Sequence, residues 1–543
     1  METADSLAPD GATPELDPFT ARLAETRALS DAPSEYEPDP DFDAARAKIL
    51  AALDYATTDA GNAEFFVHLY GDLVRYDHAR RRWLYWDSHR WRPDMDAAVH
   101  RMAFQSVRTR GAAVVFGADG ASESHREKHS KNAIRSEARS KLDSLLALAR
   151  TMKPVADDGQ GWDTTPGVLG TPNGVVDMRT GELRDGRPED RITMTTGVAY
   201  DPTATCPRWE QHLLEVLEDP AVVPFLQKLF GYSLTAEGVL HLLVFLMGTG
   251  RNGKGVTIRT AEHVLGDYAQ VISAHAFAEE RRNAHSTEVA DLELSRFAYC
   301  EELGGGKLNT ERLKDLSGGG MKKARRMRED TRAFPQTWQL WFTTNGLPRS
   351  DDNSWGFWER VIALDFPRQF VGADADPLLD EKLRAEGPGI LAWMVRGAVA
   401  WYRDGLGEYP AAVVAKTAEY REDLDPLEPL IQSGYLLRCE PEVWTPTVVL
   451  FAAYREYAQV TCILPEYYWT ERGLGTRLSD QYRRERHQVE TTEGKKQLRG
   501  FHGIRPGYLA SEALRTASWV ISEDGKSTSA EVVPGLSEPE GST

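Results

Sequence analysis

Apolar positions along the chain follow two rhythms, and the switch between them marks the elements to expect. The stretch AARAKILAALDYA (44–56) repeats its apolar residues on one helical face, so ordered structure is expected to begin near Phe42. RRWLYWDSHRW reads as short strands around a turn, with Trp83, Trp86 and Trp91 as core residues. FGADGASESHREKHSKN (116–132) is polar and reads as a loop, and KLDSLLALARTM as a helix. TPNGVVDMRTGEL carries two turn signals, Asn173-Gly174 and Thr180-Gly181, which predict a hairpin-rich segment. A helix is expected over Trp209–Leu217. Leu242–Met247 is wholly apolar, as a buried parallel strand should be. Further apolar strands are expected at Phe297–Cys300, at Trp338–Thr343 and after Arg360. Residues 376–406 read as helical, and TPTVVLFAAYREYAQ as an amphipathic helix starting near Thr445-Pro446. TERGLGTRLSDQYRRERHQVETTEGKKQLRGFHGIRPG then predicts a basic helix followed by a wing-like hairpin.

Size and charge narrow the picture. At 543 residues, with 41 % hydrophobic residues, the chain can fill several cores, about three or four domains. A formal charge of −19 argues against a nucleic-acid binder, yet roughly half of it comes from the first ~45 residues. Those residues, and the tail 521–543, are too polar to bury a core and are expected to be disordered. Cys206, Cys300, Cys439 and Cys462 show no C-x-x-C spacing and read as buried, reduced thiols. No apolar run approaches the ~18 residues of a membrane helix, and the acidic N-terminus lacks a signal core. A cytoplasmic protein that does not engage membranes is the expectation.

LLVFLMGTGRNGKGVTIRTAEHVLG carries the clearest chemistry. A strand, a Gly-rich turn and a helix beginning at once form an arrangement suited to cradling phosphate. The candidate nucleotide-binding residues are Gly248, Thr249, Gly250, Arg251, Asn252, Gly253, Lys254, Gly255 and Val256. Lys254 would reach the β- and γ-phosphates as a point charge. Gly255 stands where a Ser or Thr usually contacts Mg²⁺, so water or another side chain must fill that place. Thr257, two residues further along the helix, is a poor substitute. Gly248-x-Gly250-x-x-Gly253 also fits a dinucleotide fingerprint, but the adjacent lysine favours phosphoryl chemistry.

Such chemistry needs carboxylates for a metal ion and for the attacking water. Glu301 and Glu302 end the strand Phe297–Cys300, where open α/β sheets bind ligands. Asn345, just past another strand, could orient the water or sense the γ-phosphate. Arg360, ahead of a fourth strand, could act in trans on a neighbour's ATP. Taken singly, a lone Asn there is usually a turn residue and a lone Arg a solvated charge.

The order Lys254, Glu301-Glu302, Asn345, Arg360 resembles that of superfamily 3 helicases. More narrowly, it is similar to the C-terminal helicase part of the phage/plasmid primase–helicase family, related to the poxvirus primase-helicase. Lys314, Leu316, Ser317, Gly318 and Gly319 match the family's extra motif, Lys-x-Leu-Ser/Thr-Gly-Gly-Asp followed by basic residues. Gly320 replaces the Asp. GNAEFFVHLYGDLVRYDHARRRWLYWDSHRW, VLGTPNGVVDMRTGEL and YDPTATCPRW resemble upstream parts of the family, so the likeness covers about residues 46–505.

The resemblance implies an α/β fold, with a P-loop NTPase core of AAA+-like, superfamily 3 type. A mixed α+β N-terminal domain and a C-terminal winged-helix domain would flank it. The expected domains are a helicase-associated domain at 46–208, an ATPase domain with a helical lid at 209–420, and the winged helix at 421–520. It implies a hexamer with ATP and Mg²⁺ as cofactors, in which Glu301 holds the metal and Glu302 polarises water, or the reverse, and Arg360 completes a neighbour's site. It also implies a pore hairpin whose Lys322, Lys323, Arg325, Arg326 and Arg328 grip single-stranded or forked DNA. Arg477, Arg483, Arg484, Arg486, Lys495, Lys496 and Arg499 would be the DNA-facing charges of the winged helix. The polymerase-like primase domain of longer members has no counterpart, so no primer synthesis is expected, and a separate primase or initiator is a possible partner. The rival expectation is a degenerate ATP-binding ring or origin-binding protein with little hydrolysis, which Gly255 and Gly320 support.

Overall fold

The computed structural model describes residues 46–116, 122–277, 286–303, 308–325, 330–345, 355–424, 427–463, 468–479, 481–491, 494–515 and 519–520. The expectations for 1–45 and 521–543, and for Arg326 and Arg328, lie outside them. The chain is a mixed α/β protein of two compact units.

The first unit contains 46–83 and 94–157. Helices α1 (Asp59–Tyr70), α2 (Ala98–Phe116), α3 (Glu123–Ser136) and α4 (Arg139–Ala149) pack together, beside the parallel pair β1 (Val74–Asp77) and β4 (Ala156–Asp157). The loop expected at 116–132 is corrected: most of it is α3. Its buried face is mostly polar, which hides the helical period. Ser122 caps it by accepting from the His125 N–H, and His129, Asn132, Ala133 and Ser136 form the buried face. The Arg110 guanidinium is wholly buried and donates to Asn62 Oδ1 (2.8 Å) and the Ala56 carbonyl (2.9 Å). Asn62 in turn donates to Ser136 Oγ (2.8 Å). Buried polar groups survive here because they are bonded to one another.

The second unit opens with the antiparallel pair β2 (Arg82–Asp87) and β3 (Arg90–Pro93), Trp86 opposite Trp91. Trp91 is buried, whereas Trp83 and Trp86 are only half-buried, Leu84 taking the core position. The three-stranded meander β5 (Val168–Thr171), β6 (Gly174–Asp177) and β7 (Glu182–Arg184) confirms the hairpins, with Pro172-Asn173 as the first turn. Helices α5 (Pro207–Leu217) and α6 (Val222–Ser233) lead into the central sheet.

That sheet is parallel throughout, in the order β14 (Val361–Asp365), β8 (Leu243–Met247), β13 (Gln339–Thr344), β10 (Phe297–Cys300), β9 (Ala269–Val271). Strand alternation sends Val244, Leu246, Phe297, Tyr299, Trp341, Ile362 and Leu364 into one core. Leu243, Phe245, Ala298, Cys300, Leu340, Phe342 and Ala363 enter the other. Both faces are dry, which is why the four strands read as continuous apolar runs. Helix α7 (Lys254–Leu265) covers the first face, and Trp341 stacks on Phe230 of α6 at 4.5 Å.

After β10 come α8 (Thr310–Ser317) and the antiparallel hairpin β11 (Met321–Ala324) and β12 (Arg332–Pro335). Beyond β14, helices α9 (Leu379–Ala385), α10 (Gly387–Asp404) and α11 (Ala411–Leu424) confirm the helical expectation for 376–406. A separate apolar cluster, Leu427 to Ala510, holds the C-terminal part together. Its elements are β15 (Leu436–Arg438), β16 (Val443–Pro446), α12 (Thr447–Val460), α13 (Glu471–Ser479), the hairpin β17 (Arg484–Thr491) and β18 (Gly494–His502), and β19 (Ile504–Pro506). Thr445, expected at a helix start, belongs to β16, and α12 begins after Pro446. Cys206 and Cys300 are buried, and burial pushes both thiols up to about 12, but Cys462 is exposed. Among the described residues no helix is long and apolar enough to cross a membrane.

Candidate functional site

Because the central strands run parallel, all their C-terminal ends emerge at one edge of the sheet. β8 delivers the glycine turn there, β10 delivers Glu301 and Glu302, β13 delivers Asn345, and β14 delivers Asp365. The carboxyl edge of an open α/β sheet is where ligands bind.

Lys254 is the hub. Its ammonium donates to the Gly248 carbonyl (2.8 Å), to Asn252 Oδ1 (2.8 Å) and to Asn345 Oδ1 (3.1 Å). Burial pulls its pKa down to about 8, against the opposing pull of Asp365 and Glu302. The structure thus brings together Lys254, Asn345 and Glu302 as the sequence predicts, and adds Asp365, which the sequence reading missed. Asp365 ends the fourth apolar strand, as Glu301 follows the end of the second, so the same strand-end rule would have found it.

The turn is built for close approach. Gly253 has φ +85°, and a Cβ there would meet Val216 Cγ1 at 2.6 Å and His212 Cε1 at 3.0 Å. A Cβ on Gly248 would collide with the Asn252 amide and meet the Phe366 carbonyl at 2.6 Å. The segment after β14 straps the turn: Asn252 Nδ2 donates to Phe366 O (3.0 Å), Gln369 Nε2 to Thr249 Oγ1 (2.8 Å), and the Phe370 N–H to Arg251 O (2.8 Å). Asn252 is therefore spent on holding the turn's shape. A rigid glycine turn, a lysine and a helix N-terminus fit a phosphate chain. The carboxylates of Glu302 and Asp365 fit a divalent cation beside it.

The glutamate pair divides. Glu302 adopts a left-handed φ of +53°, its N–H donating to Thr343 Oγ1 (3.0 Å), and its carboxylate acts on Lys254. Glu301 acts instead on Tyr299 and Cys300, and Tyr299 also donates to Glu262 of α7; with burial, these raise the phenol's pKa. A non-glycine residue in that conformation costs of order 1–3 kcal/mol, a strain that clusters at functional sites.

The remaining candidates lie elsewhere, and some of the expected DNA-facing cations are corrected. Thr257 is fully buried, its Oγ1 donating to Gly253 O (3.1 Å) and lying 3.0 Å from His212 Nε2, so it offers nothing to a metal. Arg360 does not join the cluster. It precedes β14, about 16 Å from the ligand edge at 3.3 Å per residue. There it donates to Gly356 O (3.0 Å) and Ser317 Oγ (3.3 Å). The hairpin expected after the extra motif is present as β11–β12, but Lys322 faces inward and its ammonium is taken by Asp315. Lys323 and Arg325 are exposed. In the C-terminal part, Arg477 lies over the Trp469 ring at 4.6 Å and bonds Gly473 O, while Arg483 pairs with Glu485. Arg484, Arg486, Lys495, Lys496 and Arg499 are exposed on β17–β18. Arg484, Arg499 and Arg472 of α13 line a groove of about 890 Å³, and Arg472 was not anticipated.

Two family models match the chain: "D5 N terminal like" over residues 63–218, and a family of unknown function (DUF5906) over 246–360. The chain is 25 % identical over 299 residues to a protein of Acanthamoeba polyphaga mimivirus named a putative helicase, covering 50 % of this chain and 31 % of that protein. It is 30 % identical over 211 residues to one of African swine fever virus named a putative primase, covering 37 % and 22 %. The chain fits a primase–helicase family. The alignments span less than a third of the length of either relative. The second family match begins within β8 and ends at Arg360, so it frames Lys254, the glutamate pair, the hairpin and Asn345 of this primase–helicase relative. Among solved structures, the apo C-terminal region of NrS-1 aligns over 80 % of this chain and 98 % of that one, at 11 % identity and a TM-score of 0.45.

The lowered pKa of Lys254 carries a signed prediction. Bound phosphate favours the charged ammonium, so it raises the pKa from about 8. Between the free and bound values, binding takes up a proton, and affinity for a triphosphate falls as pH rises through that window while staying level below it. Calorimetry just above that pH, in two buffers of different ionisation enthalpy, should report uptake of part of a proton, lost in Lys254→Arg. Equal heats in both buffers would remove Lys254 from the binding step.

Proposed function

We propose that the chain is an ATP-dependent DNA helicase of phage or plasmid replication, working as a hexameric ring on single-stranded and forked DNA. The helicase and primase names of its viral relatives supply the replication setting. One observation carries the proposal: a buried lysine at the head of a glycine turn shares a site with Asn345, Glu302 and Asp365. In this proposal β8, the turn and α7 are the P-loop of an AAA+-like core. Lys254 grips phosphate oxygens, Glu302 with Asp365 helps hold Mg²⁺, Glu301 takes the water-polarising role in the reversed split, and Asn345 senses the γ-phosphate through its bond to Lys254. Bound Mg²⁺-ATP supplies a phosphoanhydride whose charge the metal neutralises. Arg360 lies a strand's length from its own chain's Lys254, so a role on phosphate falls to it only across a subunit interface. The hairpin β11–β12 would be the pore loop, with Lys323 and Arg325 as its described cations, and α12, α13 and β17–β18 a winged-helix module.

Turnover tests the proposal. DNA should stimulate steady ATP hydrolysis, and Lys254→Ala should lower it by about a hundredfold or more, as loss of one preorganised charge-stabilising donor does. Undiminished hydrolysis in that variant would sink the helicase assignment.

A second function is favoured by one feature: Gly255 and the sequestered Thr257 leave no hydroxyl at the usual metal position. The chain would then be a ring that holds ATP and hydrolyses little. A serine fits at 255, because its Cβ would meet only the flexible tip of Arg259, at 3.0 Å. If water already fills the place, Gly255→Ser should change turnover by less than about tenfold. Tight ATP binding without turnover, rescued by Gly255→Ser, would favour the second function.

The hairpin makes a separate prediction. Lys323→Ala should leave stability unchanged and lower the salt slope of DNA binding by about one. Lys322→Ala should instead cost roughly 1–3 kcal/mol of stability through loss of its charged bond to Asp315, leaving the salt slope intact. Thermal melts and salt titrations on the two variants separate them, and the reverse pattern would reject the assignment.

A further inference from the structure

Away from the glycine turn, one cluster among the described residues has the chemistry of a metal site: Glu485 and His487 on β17, and His502 at the end of β18. Strand geometry assembles it. Glu485 and His487 are two apart and share a face, and register sets His487 opposite Leu498, four residues before His502 on that face. Strand β16 backs the cluster: Trp444 pairs with His502, and its ring meets His487 edge-on at 5.1 Å.

The three facing atoms form a nearly regular triangle. Glu485 Oε2 lies 3.1 Å from His487 Nε2 and 3.1 Å from His502 Nε2, and the two nitrogens are 3.4 Å apart. A tetrahedral zinc ion with bonds of about 2.0–2.1 Å has ligand–ligand edges of about 3.3–3.4 Å. The triangle matches that spacing within a few tenths of an ångström.

Hydrogen bonding orients the ring the same way. His502 Nδ1 lies 2.9 Å from the Pro441 carbonyl, a contact only an N–H can make favourably, so Nε2 is the nitrogen turned toward Glu485 and His487. A cation among the three facing atoms would join them by three bonds. The outer contacts also suit a metal site: the Pro441 carbonyl orients His502, and Arg483 holds the other Glu485 oxygen, Oε1. The side chains of His487, His502 and Glu485 are 12 %, 9 % and 32 % exposed, which leaves an open side for a fourth ligand.

We propose that Glu485, His487 and His502 bind one zinc ion, with water as the fourth ligand, and that this ion ties β17 to the end of β18. Two imidazoles, one carboxylate and an open position suit zinc better than the hard cations magnesium or calcium, which prefer all-oxygen shells.

The test uses the full chain, stripped with a chelator and titrated with zinc alone and with cobalt(II) alone. One equivalent of zinc should bind, and cobalt should give the intense visible absorption of a tetrahedral site. His487→Ala and His502→Ala should each lose that absorption and bind zinc at least about 100-fold more weakly, while Arg483→Ala, which keeps all three ligands, should weaken zinc by about tenfold. Glu485→Gln keeps the side chain's size while removing its charge, so loss of zinc binding, with a melting transition equal to that of the zinc-free parent chain, reports ligand loss rather than misfolding. No saturable binding at one equivalent, or binding undiminished in the double histidine variant, would overturn the proposal and leave a protonated imidazole–carboxylate cluster. Neither result depends on whether the chain hydrolyses ATP.

Discussion

The candidate site depends on where a single ammonium is held. Lys254 sits buried at the sheet edge, and its three acceptors come from the start of the turn, the middle of the turn and the end of a different strand. Taking a cation out of water is costly unless acceptors replace the lost hydration. Those acceptors therefore fix the shape of the turn: Gly248 must keep its carbonyl inward, and Asn252 must stay bound to Phe366. The strap from Phe366 to Phe370 and the β8–β13 register are thus coupled to the lysine. The pKa near 8 shows that the compensation is incomplete. An anion arriving at the turn would supply the missing compensation, and to accept from the ammonium it would take over one of those three bonds, since a lysine has only three donors.

Much of this was legible because a doubly buried parallel sheet writes itself as apolar runs. Leu242–Met247 and Phe297–Cys300 were found by composition, and the strand-end rule then placed Glu302 and Asn345 beside Lys254. What failed was whatever depends on a neighbour distant in sequence. Thr257, already a poor substitute by its place on the helix, is ruled out once α5 brings His212 behind it, 45 residues away. Helix α3 was hidden because its buried face is partly polar, with His129, Asn132 and Ser136 where a periodicity search expects aliphatic side chains. Arg360 precedes β14 and so lies at the sheet edge opposite the residues that follow their strands, a distinction available from order alone.

Charge taught a related lesson. A run of lysines and arginines looks like a uniform basic patch in sequence, but a strand deals alternate residues to opposite faces. On β11 that alternation sends Lys322 inward with Ala324 and leaves Lys323 outside. In the C-terminal part, Arg477 and Arg483 are occupied by Trp469 and Glu485. The basic character that remains is concentrated on exposed positions of one hairpin and on Arg472.

The same alternation gives that hairpin two chemistries. Arg484, Arg486 and Arg499 share one face through the register that sets Arg486 opposite Arg499. Glu485, His487 and His502 share the other, against Trp444. A two-stranded ribbon is a weak support by itself, because it buries little and pays the full entropy of ordering its backbone. A cross-link on the face away from the arginines would stiffen the ribbon without consuming any of their charge. The alternation that separates these groups therefore lets one hairpin carry a cation-binding face and an arginine face without either consuming the other.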